Sequence, residues 1–406
     1  MYVASSRPTG KTELGKRLPS TVFALGTVSL LTDVSSEMIT AFMPVYLLFS
    51  LQMGYAQFGI LDGLYTGATA VLRLVGGHAS DRLRRPKAVA AAGYGLSAVT
   101  KLFFPVVGGS AFGIGALLAA DRAGKGLRTA PRDALISLST PADQLGTAFG
   151  VHRSMDTFGA LMGPLVTFLL LTQIGIVPGP VFVVSACFAL LGLIVLVWFV
   201  RERPADKAAT GPPPSLRAGL ALLREPAFRR TAVASAALGL ATMSDAFVYI
   251  LVQRATGIPL GLLPLLPLAT ALVFLLTAAP LGRLADRVGR WRMFLIGHVL
   301  LLGVYALLFT PASGYPVAVL ALALHGLFYG CTDGVLSARV SALAPETLRA
   351  SGLAVVQTGQ ALTRLVASVA FGFLLQFATF GLAVGTAFAA LTSTLLIAWQ
   401  LDRSRG

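Results

Sequence analysis

Twelve long apolar segments, separated by short polar connections, run through the whole chain. They lie at about 21–50, 57–77, 88–108, 112–136, 148–173, 179–200, 229–253, 259–281, 293–310, 316–341, 350–376 and 379–401. Each is close to or above the roughly 20 residues that an α-helix needs to cross a bilayer. Because lipid offers no partner for an unpaired backbone amide, all twelve are predicted to be helical. The pattern predicts an all-α integral membrane protein.

A polar linker divides the twelve segments into two sets of six. It contains the run Gly211-Pro-Pro-Pro-Ser215 and several Lys and Arg residues. The predicted organisation is a tail over 1–20, a six-helix bundle over 21–200, a cytoplasmic linker over 201–228 and a second six-helix bundle over 229–406.

The two bundles share a repeated basic turn, at 77–87 and again at 282–292. Its aspartates, Asp81 and Asp286, are 286 − 81 = 205 residues apart, about half of the 406-residue chain. Internal repeats of this kind indicate a duplicated architecture. The two bundles are therefore predicted to be pseudo-symmetric, a plan that is typical of transporters.

Composition agrees with a membrane protein. Hydrophobic residues make up 55% of the chain, charged residues 12%, and the mean hydropathy is +0.78. Soluble domains typically carry about 25% charged residues. The partners expected from this composition are the lipid bilayer and a small-molecule substrate.

The net charge of +15 is distributed by topology rather than as a nucleic-acid surface. Lys and Arg concentrate in the N-terminal tail, in 82–87, 201–230 and 283–292 and at the C-terminus, while the connections near 51–57, 109–111, 174–180, 311–316 and 377–381 contain none. This alternation follows the positive-inside rule. It predicts that both termini are cytoplasmic, that the protein spans the bacterial cytoplasmic membrane repeatedly, and that nucleic acid is not a partner.

Two carboxylates lie deep in the first segment. Asp33 is about 12 residues, or about 18 Å, into the predicted helix, and Glu37 follows one turn later on the same face. Charges at this depth are expensive and therefore functional candidates. Two carboxylates so placed do not both ionise readily, which favours proton coupling at Asp33 and Glu37. The alternative is that they pair permanently with basic residues of the fourth or fifth segment.

The fourth segment is rich in positive charge. Arg122, Lys125 and Arg128 recur at helical spacing and are predicted to share one broad face. With Lys101 and Arg153 they give the first bundle a positive interior, which suits an anionic or zwitterionic substrate. The alternative is an internal salt-bridge network, with Lys101 paired to Asp121, and Arg128 or Arg153 paired to Asp156.

The second bundle has fewer polar residues at membrane depth. Asp245 matches Asp33 after an interval of 245 − 33 = 212 residues, and Gln357 and Gln360 are candidates for hydrogen bonding to substrate. Side chains that could bind a soft metal ion lie near each other in the sequence in two places, His152 with Met155 and His325 with Cys331. Neither spacing is that of a strong metal site. The chain lacks familiar enzyme motifs, so neither catalysis nor a cofactor or metal is predicted.

Four motifs in order make the chain resemble the major facilitator superfamily. The first turn, from Gly77 through Asp81 and Arg82 to Arg85, follows that family's Gly-x-x-x-Asp-Arg-x-Gly-Arg signature except at Arg84. The second copy matches in full, with Gly282, Asp286, Arg287, Gly289 and Arg290. The run from Arg122 to Ala130 resembles the family's fourth-helix signature, with Lys125 in place of glutamine. The fourth motif comprises Gly150, Gly159, Gly163 and Pro164, which resembles the front of the family's antiporter signature.

The resemblance implies alternating access of two bundles around a central site, usually in a monomer. It implies that the turns act as gating latches, with Asp81 acting across to the second half, and Arg132 is a candidate partner. It links Arg122 to proton movement. The favoured hypothesis is a proton-coupled antiporter that exports a small molecule. The alternatives are an importer or uniporter of an anionic metabolite, and a receptor or scaffold that does not transport.

Overall fold

The computed structural model describes residues 18–67, 85–141, 144–200, 216–309, 314–345 and 348–403. Within these ranges the chain is helical, with no β-strand. In the first half the helices are α1 (Ser20–Pro44, continued by a π-helical turn, Val45–Ser50), α2 (over 55–67), α3 (Pro86–Val107), α4 (Ala111–Ser139), α5 (Leu145–Ile174) and α6 (Pro178–Phe199). The second half has α7 (Leu216–Ala221), α8 (Pro226–Leu240), α9 (Asp245–Thr256), α10 (Leu265–Val288), α11 (Arg290–Leu307), α12 (Tyr315–Leu343), α13 (Arg349–Phe377) and α14 (Phe380–Arg403).

Ten helical stretches of the described chain are long and apolar enough to cross a membrane, counting α8 with α9 as one. Two of the twelve predicted segments are not among them. Helix α4 is 29 residues long but carries several charges, and the described part of α2 ends at residue 67. The predicted all-α, multi-pass membrane fold is confirmed.

Short connections make successive long helices run in opposite directions, since a few residues cannot span the length of a helix. We call the side where α1 begins the near face and the side where its π-helical turn ends the far face. In the first half, α1 packs against α5 and α6, while α3 packs against α4 and α6. In the second half, α12 packs against α10 and α11, and α8 packs against α13.

Helices α1 and α5 approach each other at two glycines. A Cβ atom on Gly163 would lie 2.7 Å from the Cβ atom of Glu37 and 2.8 Å from the carbonyl oxygen of Val34. Gly159 lies equally close to the backbone of Leu30. Small residues permit this kind of backbone approach within membranes. Gly159 and Gly163 of the antiporter-like motif therefore hold the face of α1 that bears Glu37 against α5.

The segment predicted as one helix over 229–253 is broken between α8 and α9. Residues 241–244 leave the helix, so Asp245 begins α9 instead of lying in mid-helix. The freed backbone amide of Met243 donates to the hydroxyl of Tyr305 at 2.8 Å. Broken helices are tolerated at membrane depth where neighbouring groups satisfy the released backbone. Tyr305, which is fully buried, supplies that partner.

The two halves meet toward the far face. Phe247 of α9 packs edge-to-face between Phe58 of α2 and Phe371 of α13, with ring centroids 5.1 Å away on each side. Below these rings, a Cβ atom on Gly59 would lie only 3.0 Å from the Cα atom of Gly372. This contact closes the far side of the space between the halves.

Candidate functional site

The most deeply buried ionic group of the first half is centred on Asp121 of α4. One carboxylate oxygen lies 2.8 Å from the Nζ atom of Lys101, and the other lies 2.6 Å from a guanidinium nitrogen of Arg122. The three side chains are only 1–4% exposed. A charge in such a place is tolerable because its partners contact it directly. The structure therefore buries Lys101 in a salt bridge and not on a cavity wall.

Arg122 also connects this group to α2. Its guanidinium carbon lies 4.0 Å from the ring centroid of Tyr65, and the Tyr65 hydroxyl hydrogen-bonds to Thr40 of α1. Cation–π contact stabilises a desolvated guanidinium beyond its ion pair. Helices α1, α2, α3 and α4 are thus joined around one buried arginine.

Asp33 and Glu37 form a second, looser ionic group. The ammonium of Lys125 lies 3.9 Å from Asp33 and 4.0 Å from Glu37, and Arg128 lies 4.0 Å from Asp33. The side chains of Glu37 and Lys125 are 28% and 26% exposed, so solvent reaches them. Arg128 is buried, with its guanidinium 4.6 Å from the ring centroid of Tyr94. One accessible lysine is therefore shared by two carboxylates.

A third ionic group lies closer to the near face than the first two. Asp156 of α5 contacts Arg132 at 3.6 Å and Arg153 at 3.2 Å, while Arg132 also pairs with Asp133 at 3.0 Å. Arg153 is 78% exposed, so it does not line an enclosed cavity. Asp156 therefore pairs with Arg153, as the salt-bridge alternative had it, whereas Arg128 turns to Asp33 instead.

In the second half, the polar centre is the carboxylate of Asp245 at the start of α9. The hydroxyl of Tyr329 donates to both carboxylate oxygens, at 2.6 and 2.7 Å, and the Nε2 atom of His325 lies 3.5 Å away. The Asp245 side chain is 48% exposed, although the residues that follow it in α9 are buried. It therefore faces an internal space that solvent reaches. Arg364 of α13 interacts electrostatically with Asp245 but forms no ion pair within 4.0 Å in the described chain.

One carboxylate bridges the halves. The half-buried Asp62 of α2 accepts a hydrogen bond of 2.6 Å from the hydroxyl of Ser368 on α13, and it interacts electrostatically with Asp245. The Ser368 hydroxyl also lies 3.1 Å from the carbonyl oxygen of Gly59. Sequence analysis did not single out Asp62, Tyr65 or Ser368. Asp62 could have been found from the sequence, because it is a carboxylate five residues inside the second predicted segment.

The remaining predicted residues are scattered. Gly77, Asp81 and Arg82 lie outside the described residues, as does any contact between Asp81 and Arg132. In the second turn, Arg290 pairs with Asp286 at 2.8 Å and donates to the carbonyl oxygen of Ala338 at 3.1 Å.

Six further predicted residues lie at exposed, half-buried or open positions. Arg85 and Arg287 are exposed, as is Gln357, while Gln360 is half-buried. Gly282 and Gly150 have open space where a Cβ atom would lie. In the described chain, no three His, Cys, Asp or Glu residues are placed to hold a metal ion.

Two helical halves around ionic residues at membrane depth define a multi-pass membrane transport protein. A family model described as Major Facilitator Superfamily matches residues 25–368 and 234–404, and the chain belongs to this family. An uncharacterized MFS-type transporter of Methanocaldococcus jannaschii is 31% identical over 89% of this chain and 90% of its own length. Multidrug resistance protein MdtG of Salmonella arizonae is 28% identical over 52% of each chain.

Solved structures agree on the fold. A crystal structure of a mutant of nucleoside transporter NupG superposes with a TM-score of 0.81, covering 95% of this chain and all of that one at 14% identity. An auto-inhibited POT family peptide transporter gives a TM-score of 0.76, covering 96% and 97% of the two chains, also at 14% identity. The resemblance proposed from the motifs is thereby confirmed at the level of family and fold.

Proposed function

We propose that this chain is a proton-coupled antiporter that exports a small molecule across the bacterial cytoplasmic membrane by alternating access. The observation that carries the proposal is the sharing of Lys125 between Asp33 and Glu37. Arg128 gives Asp33 a second basic neighbour, but Lys125 is the one Lys or Arg within 4.0 Å of Glu37 among the described residues. Binding of one proton at Glu37 therefore relieves its repulsion with Asp33. Because Glu37 and Lys125 are partly exposed, a proton from solvent reaches this pair.

The geometry also gives a way to link protonation to movement. When a proton neutralises Glu37, Lys125 is free to pair more closely with Asp33. When the proton leaves, the ammonium of Lys125 returns to its position between the two carboxylates. Glu37 lies on the face of α1 that Gly163 holds against α5, and it interacts electrostatically with Tyr249 of the other half. A change in its charge therefore acts on both halves.

Export is supported by two observations. The Gly159 and Gly163 contacts belong to the antiporter-like motif, and the partial similarity to a multidrug resistance protein is to an exporter by name. We infer that the near face is cytoplasmic, that both termini lie there and that the protein works as a monomer. The far-face contact of Phe58, Phe247 and Phe371 then corresponds to an inward-facing state.

The test is transport in proteoliposomes under an imposed pH gradient. A thermal-shift screen of organic cations, anionic metabolites, nucleosides, sugars and peptides at two pH values selects a ligand, and its labelled form is then followed. We expect exchange against protons in the native protein, and loss of the pH dependence in Asp33→Asn and Glu37→Gln. Glu225→Gln, which changes an exposed carboxylate at the start of α8, is the matched control and is expected to transport normally.

Two results contradict the proposal. One is a flux that is insensitive to the pH gradient in the native protein. The other is unchanged transport and unchanged pH dependence in both Asp33→Asn and Arg122→Ala. Strong inward flux without a gradient supports the importer or uniporter alternative instead.

A further inference from the structure

Asp245 differs from the carboxylates of α1, α4 and α5 in how it is neutralised. Every described carboxylate of those three helices has a Lys or Arg nitrogen within 4.0 Å: Asp33, Glu37, Asp121, Asp133 and Asp156. Asp245 has none among the described residues, and its direct neighbours are a tyrosine hydroxyl and a histidine nitrogen. Arg364 acts on it only from a greater distance, so this half-exposed carboxylate forms no ion pair with Lys or Arg in the described chain.

The side chains around Asp245 are aromatic. The ring of His325 lies 5.6 Å from that of Tyr249 and 5.4 Å from that of Tyr329, centroid to centroid. Phe328 stacks parallel to His325 at 6.1 Å. Aromatic faces attract cations through their quadrupoles, most strongly where water is displaced. His325, Phe328 and Tyr249 are buried, whereas Tyr329 is half-buried beside the exposed carboxylate. An accessible carboxylate with an aromatic ring at its side is thus suited to a bulky, weakly hydrated cation.

Charges of both signs act on Asp245 from neighbouring helices. Asp62 of α2 and Arg364 of α13 interact electrostatically with it. The guanidinium of Arg364 is shared, since it also interacts with Asp333. Carboxylates therefore outnumber basic groups around Asp245, which disfavours an anion at this place.

We propose that Asp245, together with Tyr249, His325 and Tyr329, forms a subsite that binds the positive centre of an organic cation. The inference rests on the proposed transport function and specifies its substrate class. Tyr329 holds the carboxylate in a fixed orientation by donating to both oxygens, and its half-buried ring contacts the apolar substituents of the cation, with Tyr249 and His325 packed behind it. This replaces the anionic substrate expected from the basic residues of α4, because Lys101 and Arg122 are neutralised by Asp121.

The first experiment compares two probes of the same shape and opposite charge. Labelled tetraphenylphosphonium and labelled tetraphenylborate are bound to the purified full-length chain in lipid nanodiscs, with empty nanodiscs subtracted. We expect saturable binding of tetraphenylphosphonium and none of tetraphenylborate. Equal binding of both probes, or saturable binding of the anion alone, overturns the proposal.

Substitutions then assign the binding to Asp245. We expect Asp245→Asn to raise the Kd for tetraphenylphosphonium by about tenfold or more, since it removes the charge and keeps the shape. Asp245→Glu is expected to restore much of the affinity, and Tyr329→Phe to weaken it by a smaller factor. Glu225→Gln is the control, with an unchanged Kd. An unchanged Kd in Asp245→Asn overturns the proposal, and size-exclusion chromatography with thermal unfolding verifies that each variant is folded.

Different results would contradict the proposed subsite and the proposed proton coupling. If the chain binds tetraphenylphosphonium through Asp245 but its transport is insensitive to a pH gradient, coupling is wrong and the subsite stands. If the chain exchanges protons for an anionic or neutral substrate without binding tetraphenylphosphonium, the subsite is wrong and coupling stands.

Discussion

Asp121 in the first half and Asp245 in the second half are surrounded in opposite ways. In the first half, Asp121 is enclosed by Lys101 and Arg122 at 2.8 and 2.6 Å, with almost no exposed surface. In the second half, Asp245 is 48% exposed and contacts a hydroxyl and an imidazole. The first arrangement is complete without a ligand, whereas the second leaves an accessible negative charge.

This difference separates a structural role from a binding role. Ion pairs buried in apolar surroundings contribute little net stability, but removal of one partner leaves an uncompensated charge and is strongly destabilising. An accessible carboxylate has water as an alternative partner, so its loss affects folding less and ligand binding more. Asp33 and Glu37 lie between these extremes, since their shared lysine is 3.9 and 4.0 Å away and partly exposed.

The largest expected effect is on stability. Asp121→Asn leaves Lys101 and Arg122 as buried positive charges without a full counter-charge, and we expect a loss of about 3–5 kcal/mol. Asp245→Asn keeps an acceptor for Tyr329, and we expect a loss of about 1 kcal/mol or less. Thermal unfolding of both variants in one detergent measures the difference. Equal losses in the two variants contradict the distinction between the halves.

The second prediction concerns Gly163, whose close contact with α1 holds Glu37 in place. We expect Gly163→Ala to destabilise the protein by about 1–3 kcal/mol, because the added methyl group meets Glu37 and the backbone of Val34. Gly150→Ala, on the same helix with open space around it, is the control and is expected to gain up to about 1 kcal/mol from helix propensity. Unfolding in detergent measures both.

A second readout ties this packing to function. Because Gly163 supports the face of α1 that bears Glu37, we expect Gly163→Ala to alter the pH dependence of transport as well. A Gly163→Ala variant that is as stable as Gly150→Ala and transports with the native pH profile shows that the approach of α1 to α5 is unimportant.

The sequence predicts the parts of this fold that the membrane dictates. Hydropathy places the helices because every backbone group in lipid must bond within its own segment. Helical depth is also enough to suggest that Lys101 meets Asp121, since neighbouring antiparallel helices bring residues of similar depth together. Predictions of this kind use only length, spacing and charge.

The parts that were not predicted depend on distant partners. The break between α8 and α9 contains neither Gly nor Pro, and it is stabilised by the hydroxyl of Tyr305, which lies 62 residues from Met243 in the sequence. Likewise, Asp62 meets Ser368 only because the two halves pack at Gly59 and Gly372. A single sequence without homologues gives no information on such pairings.

The third prediction tests whether the halves are coupled through that pairing. We expect Ser368→Ala to weaken the far-face contact by about 1.5–3 kcal/mol, the value for a hydrogen bond to a charged group, or about tenfold to a hundredfold in population. Spin labels at the highly exposed Phe112 and Phe377, in a variant without Cys187 and Cys331, report the far-face distance by double electron–electron resonance. Thr363→Ala, which loses only bonds within α13, is the control.

The smallest expected effect comes from another polar contact between the halves, at the exposed far face. Arg254 donates to the hydroxyl of Tyr55 at 3.4 Å and lies 5.3 Å from the ring of Phe380. Solvent competes for such contacts, so we expect Arg254→Ala to shift the populations that the same labels report by less than about 1 kcal/mol, well below the effect of Ser368→Ala. If Arg254→Ala opens the far face more than Ser368→Ala does, the exposed rim controls the closure, and the hydrogen bond between Asp62 and Ser368 does not hold the two halves together.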